Sequence, residues 1–344
     1  MTHLERFLAT VERRAVDYPA SWLGIPHPDA LANLYTHFGV KTEDELKAKI
    51  NDDVFAVEMP YHSPTSNAIY AAFDFAKDKH GNPEERTLTA PGFFEDFSDP
   101  KDVDKFPWPD PAKYIDPALC RKVVDDVPKR DYAVMGVLWS AHFQDTCAAF
   151  GMETALMKMV AEPEMFKAVI DRITDFYLKA NEIFFEATKG KLHAVLFGND
   201  FGSQQGLMVS PDMLREFVFE GSRKIIAQAK SYGLKVIYHS CGAIHDVIPD
   251  LTAVGADVVH PIQALAAKME PERLKNDFGK NTSFCGGVDA QYLLVQGTPE
   301  QVREKVRELK QLFPTGLVIS PSHEAILPDI PPANVEALFD EVRK

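Results

Sequence analysis

The chain has 344 residues, 45% of them hydrophobic and 26% charged, which allows a sizeable core and argues against global disorder. A net charge of −14 argues against nucleic-acid binding, because neutralising phosphates demands clustered Lys and Arg. No apolar run approaches the roughly 18 residues needed to span a bilayer, so no membrane association is expected.

In chain order, MTHLERFLATVERRAVDYPA (1–20) reads as an amphipathic helix with charges inside it, not as a signal peptide. Residues 1–130 are irregular as a whole. Within them DKHG (78–81) begins like a D-x-H-x-x-G cobalamin motif, but Pro83 stands where the glycine belongs, so it reads as a turn. PGFFEDFSDPKDVDKFPWPDPAKY (91–114), rich in Pro and Asp, reads as a packed surface excursion.

From about residue 130 short apolar runs alternate with helical patterns. The expected strands are 132–139, 194–199, 235–241, 257–262, 282–288 and 316–320, continuous runs that suit a parallel sheet covered on both faces. The expected helices include 163–188, 210–232 and 298–313. The last has Thr298 as N-cap, Pro299 at the first helical position and Gln301 completing a capping box. Strand–helix alternation without a G-x-G-x-x-G or P-loop favours a closed (β/α)8 barrel over an open doubly wound sheet. No composition break demands a second domain, so residues 1–344 read as one α/β barrel.

Barrel active sites lie at the C-terminal strand ends. Those ends carry Trp139 and Ser140 with His142 nearby, then Asn199 and Asp200, His239 and Cys241, His260 and Gln263, Asp289, and finally Ser322, His323 and Glu324. His239 and Cys241 stand two apart on an extended segment, so imidazole and thiol share one face. That pair suits Zn2+, which in catalytic sites takes three protein ligands and keeps one position open. His323 and Cys285 are the candidates for the third ligand. Cys285 lies inside an apolar strand, though, and Cys120 and Cys147 read as structural. The four cysteines have no regular spacing and the chain needs no disulfide staples, so a reducing cytoplasm is the expected setting.

HSCGAIHDVIPDLTAVGADVVHPIQ, MEPERLKNDFGKNTSFCGGVDAQ, GTPEQVREKV and SPSHEAILPDIPPANVEAL together resemble the uroporphyrinogen decarboxylase superfamily, from about residue 130 to the end. The resemblance implies a distorted (β/α)8 barrel. It also implies one of two chemistries. The decarboxylase branch binds a polycarboxylate with arginines of an R-Q-A-G-R segment, whereas the corresponding stretch here (21–40) contains no arginine. Unpaired buried carboxylates would cost several kcal/mol each, which disfavours porphyrinogen decarboxylation.

The other branch comprises corrinoid-dependent methyltransferases, whose zinc signature resembles H-x-C followed by a late cysteine. His239 and Cys241 match its start, and the late cysteine falls at Ser322 or His323. The implied activity is zinc-dependent methyl transfer between a small methyl ether, methylamine or thiol and a corrinoid (methylcobalamin) on a separate corrinoid protein, as the chain has no complete corrinoid motif of its own. Expected roles are Asp200 and His323 as catalytic groups, His239, Cys241 and His323 as metal ligands, and Trp139, His142, Asn199 and Gln263 as substrate contacts. The aromatics Trp22, Trp139, Phe143 and Phe201 are candidates to line an apolar pocket. The alternative is a metal-independent decarboxylase or lyase of the same fold using Asp200 and His323.

Overall fold

Among the described residues, seven parallel strands follow one another around a curled sheet in chain order, each paired with the next. They are β1 (Val54–Glu58), β2 (Ala133–Val137), β3 (Ala194–Gly198), β4 (Lys235–His239), β5 (Val258–Ile262), β6 (Ser283–Val288) and β7 (Leu317–Pro321). The computed structural model describes residues 1–76 and 90–344. The turn expected at 78–81 lies outside them.

Between β7 and β1 the eighth stave is reduced to a single bridge, Ser21 beside Ile319. Ile319 N–H donates to Ala20 (2.9 Å) and Trp22 N–H to Ile319 (3.1 Å), while Asp53 N–H reaches Ser21 from the β1 side (3.1 Å). Buried carboxylates supply what the missing ladder does not. Asp53 Oδ2 accepts from Ser21 N–H (2.9 Å) and Asp52 Oδ2 from Leu23 N–H (3.2 Å). Buried cations hold the pair in turn. Arg6 Nη1 lies 2.7 Å from Asp53, and Lys47 Nζ lies 2.6 Å from Asp52. The barrel-like architecture is therefore the expected one, with its eighth stave contracted to a few residues.

Inside, one set of alternating side chains fills the ring: Val54, Ala133, Met135, Ala194, Leu196, Ile237, Val258, Cys285 and Val318. Helix α1 (His3–Val11) sends Phe7 and Val11 into this same cluster, closing the lower end. Period-2 alternation then carries the inward face upward to Glu58, Trp139, Asp200, His239 and Cys241 at the C-terminal mouth.

The helix 163–187 runs nearly as expected, and Thr298 and Gln301 form their capping box. The pattern 210–232 instead breaks in two, Pro211–Phe217 and Phe219–Ser231. At the break the Val218 carbonyl faces His142 Nε2 at 3.1 Å, and Gly221 leaves room for that ring, since a Cβ there would meet Nε2 at 3.0 Å. The Pro- and Asp-rich excursion is anchored by aromatics. Phe94, Phe106 and Trp108 pack with Phe75 and one another at centroid distances of 4.7–6.3 Å.

Asp53→Ala removes the acceptor of both Arg6 Nη1 and the Ser21 N–H, while Asp17 still holds Nε and Nη2 of Arg6. The expected loss is about 3 kcal/mol, read as a lower urea midpoint at unchanged m. An unchanged midpoint would show that closure does not depend on this carboxylate.

Candidate active site

At the end of β4, His239 and Cys241 converge as their spacing demands, with Sγ 3.4 Å from Nε2. Asp200, two residues beyond β3, joins them. Its Oδ1 accepts the Cys241 N–H (2.8 Å) and lies 3.3 Å from His239 Nε2. Glycine makes the approach feasible. A Cβ at Gly198 would sit 1.9 Å from the His239 carbonyl oxygen, and one at Gly242 would sit 2.4 Å from the Gly202 oxygen.

The other face of His239 is held by His260, Nδ1 to Nδ1 at 2.9 Å, with Glu324 Oε2 at 3.6 Å from the same nitrogen. Burial works against a charge on His239, but the Asp200 and Cys241 hydrogen bonds and the nearby Glu324 prevail and raise its pKa well above the ordinary value. Burial, together with the charges of His239 and His323, drives His260 well below it. The Nδ1–H of His239 therefore donates to a neutral His260. Burial would lift the Asp200 carboxyl, yet the hydrogen bond to His239 and its charge bring it down to about 2.

Burial likewise opposes ionisation of Cys241, and hydrogen bonds from His239 and His323 reverse this and lower its pKa. His323 accepts the Ala325 N–H at Nδ1 (3.0 Å), which leaves Nε2 for the sulfur. The tight donor groupings among the described residues are Asp200–His239–Cys241 and His239–His260–Glu324, with ligand atoms within 4.8 Å of one another. His323 stands outside both.

The remaining expected residues divide by strand parity. Trp139 faces inward and lines a cavity of about 130 Å³ with Val137, Gly198, Asp200, His239 and Glu324. Its backbone is left-handed (φ 52°), and its indole N–H donates to Glu58 at 3.2 Å. Asn199 faces the helix layer instead, fully buried. It accepts the Phe143 N–H and lies against Tyr238 and His142. His142 belongs to that same buried network. Gln263 holds the Gly242 N–H (2.7 Å), shaping the loop that follows Cys241. Trp22, Phe143 and Phe201 are core residues and do not line this cavity.

Cys285, the other candidate third ligand, lies within the apolar barrel interior, where burial pushes its thiol strongly up. It is not grouped with His239 and Cys241. Glu58 and Gln144 are mouth residues that sequence reasoning passed over. Glu58 could have been found by counting in twos from Val54.

Residues 85–344 match the uroporphyrinogen decarboxylase family, URO-D. The chain belongs to that family. It is 26% identical over 326 residues to a methylated-thiol–coenzyme M methyltransferase of Methanosarcina mazei, covering 90% of this chain and 81% of that protein. A solved methyltransferase from Methanosarcina mazei superposes with a TM-score of 0.69 at 17% identity, covering 99% of this chain and 98% of that one. That solved protein therefore shares the fold. The enzyme class supported for this URO-D chain is that of a methyltransferase. Among the described residues no helix is long and apolar enough to cross a membrane.

In metal-free protein the lowered pKa makes Cys241 the fast thiol. Its alkylation by iodoacetamide reaches half-maximal rate below pH 9, and His239→Gln moves that midpoint upward. Buried Cys120, Cys147 and Cys285, whose thiols are all pushed up, should stay unlabelled. Equal labelling of all four, or no shift in the variant, would contradict the arrangement.

Proposed function

We propose that this URO-D chain moves a methyl group between a small substrate in its barrel mouth and a corrinoid carried by a separate protein, with Zn2+ held by His239, Cys241 and Asp200. The observation that carries the metal reading is the donor set itself. Ligands sharing a tetrahedral zinc stand roughly 3.3–3.6 Å apart at ordinary bond lengths, and the observed separations from Nε2 are 3.4 Å to Sγ and 3.3 Å to Oδ1. A histidine ligand also needs its second nitrogen oriented, and His260 does this for His239. When bound, zinc supplies Lewis acidity toward a lone pair on sulfur, oxygen or nitrogen.

The chain's own residues do the rest. Asp200 holds the Cys241 N–H and Gln263 the Gly242 N–H, so the backbone that carries the sulfur is held at two successive residues. His323 reaches that sulfur from the loop after β7 and acts as its hydrogen-bond partner. The apolar interior below the mouth excludes water from the floor of the cavity. Around the rim, loops after β1, β5, β6 and β7 expose Tyr70, Leu265, Tyr292 and Leu327, each at least half accessible. Apolar side chains in that position suit a docking partner that brings cobalt over the mouth. The methylated-thiol relative supports methyl transfer as the reaction.

Metal content by plasma mass spectrometry tests the reading. Near-stoichiometric zinc is expected in the wild type. It should fall at least tenfold in Cys241→Ser and in Asp200→Ala, and persist in His323→Ala. Loss in His323→Ala with retention in Asp200→Ala would exchange their roles. Full methyl transfer after thorough chelation would remove zinc from the proposal and favour the metal-independent alternative.

A further inference from the structure

Two cavities lie side by side at the barrel mouth. The smaller, about 130 Å³, contains the proposed metal ligands Asp200 and His239, with Val137, Trp139 and Glu324 among its walls. The larger, about 200 Å³, lies between the contracted eighth stave and β1. It is mostly apolar, lined by Leu23, Ile25, Leu31 and Ala56 together with Glu58. The two linings meet first through backbone. β1 pairs with β2 there, Glu58 beside Val137, and at the seam the Ile25 N–H donates to the Glu324 carbonyl at 2.6 Å. A Cβ at Gly24 would meet that same oxygen at 2.1 Å, so this part of the wall has no slack. Beyond the strand ends the division passes to side chains, where the Trp139 indole N–H donates to Glu58 at 3.2 Å.

The backbone beneath that indole is strained. A φ of 52° is a true outlier for so bulky a residue, and such conformations persist where the surroundings over-determine them, often at functional sites. The Trp139 carbonyl accepts the Ala141 N–H at 3.0 Å, and the Tyr70 ring braces the indole edge-on at 6.1 Å and 78°. With Glu58 on its nitrogen, the ring is held as a partition between the cavities. Size then decides what fits. A cavity of roughly 150 Å³ just accommodates benzene. The smaller cavity falls below that before any metal is counted, and a metal on Asp200 and His239 leaves the substrate still less room. A short aliphatic methyl compound fits such a space. A ring carrying a methoxy group would have to extend out of the mouth, into the path the corrinoid must take.

We infer that Trp139 is the specificity-determining residue of this site, a partition that reserves it for methyl compounds smaller than a benzene ring and excludes aryl methyl ethers. This rests on the methyl-transfer reading and narrows its substrate class to short aliphatic compounds with a lone pair on sulfur, oxygen or nitrogen, as the Lewis-acid role requires. Without the indole the two cavities join and reach the roughly 300 Å³ at which sites for drug-sized ligands begin. The apolar lining of the larger one then receives the ring. Glu58 acts through Trp139 and is a positioning residue, since its carboxylate holds the indole across the gap.

Binding to the purified chain tests this without any transfer assay. Titration calorimetry compares methylthioethanol with guaiacol, each of which carries one hydroxyl and one methyl donor group. The wild type is expected to bind methylthioethanol roughly tenfold or more tighter than guaiacol. Trp139→Ala and Trp139→Leu should each gain roughly tenfold or more in guaiacol affinity over the wild type, and Trp139→Phe, which keeps most of the bulk, should gain less. A gain of binding cannot come from misfolding, and unchanged urea midpoints show that the variants are folded. Guaiacol bound by the wild type as tightly as methylthioethanol overturns the inference. So does a folded Trp139→Ala or Trp139→Leu protein with no gain for guaiacol. The expected change of ligand preference without methyl transfer to a reduced corrinoid overturns the function alone, whereas methyl transfer from guaiacol by the wild type overturns this inference alone.

Discussion

The contracted eighth stave is the constraint on which the molecule turns. A curled seven-stranded sheet has two free edges, and unpaired edge groups are costly once buried. Here β7 and β1 are joined through Ser21, and neighbouring Asp52 and Asp53 hydrogen-bond to backbone N–H groups of the joining segment. The closure reaches the mouth as well. Gly24 has φ 88°, and a Cβ there would sit 2.1 Å from the Glu324 oxygen that accepts the Ile25 N–H at 2.6 Å. The same seam that closes the ring therefore sets the backbone of Glu324, and places its carboxylate across the mouth from β4.

At β4 the decisive economy is one histidine with both nitrogens engaged. His239 Nδ1 is held by neutral His260, so Nε2 is aimed at Cys241 and Asp200. Two basic rings with centroids 5.0 Å apart would repel if both were charged, and His260 yields. The result is a donor cluster whose orientation comes from rigid strand ends and glycine-permitted loops. Flexible surface side chains play no part in it.

Much of this was legible beforehand. β2 to β7 are buried along nearly their whole length, so they read as short, mostly apolar runs, and the ends fell within one or two positions. β1 was not read. VFAVE is short, follows an acidic pair and ends on an exposed glutamate, so it resembles a turn more than a core strand. The helix break at Val218 is equally silent, since its cause is a histidine 76 residues away. In the site, proximity of His239 to Cys241 followed from their spacing, whereas the joining of Asp200 depends on how β3 lies beside β4. Asn199 and Asp200 look interchangeable as polar strand-end residues. Parity along β3 separates them, sending one toward the helices and the other into the mouth.

The plugged lower end has a kinetic meaning. Phe7 and Val11 of α1 close the barrel from beneath, and the interior above them is filled with side chains. Among the described residues, a molecule bound at the mouth has a single doorway. On the function proposed here, a corrinoid protein seated on the rim occupies that doorway, so the small substrate enters before the partner arrives and its product departs after the partner leaves. On that proposal, binding order would be built into the architecture, and excess corrinoid protein would inhibit with respect to the small substrate.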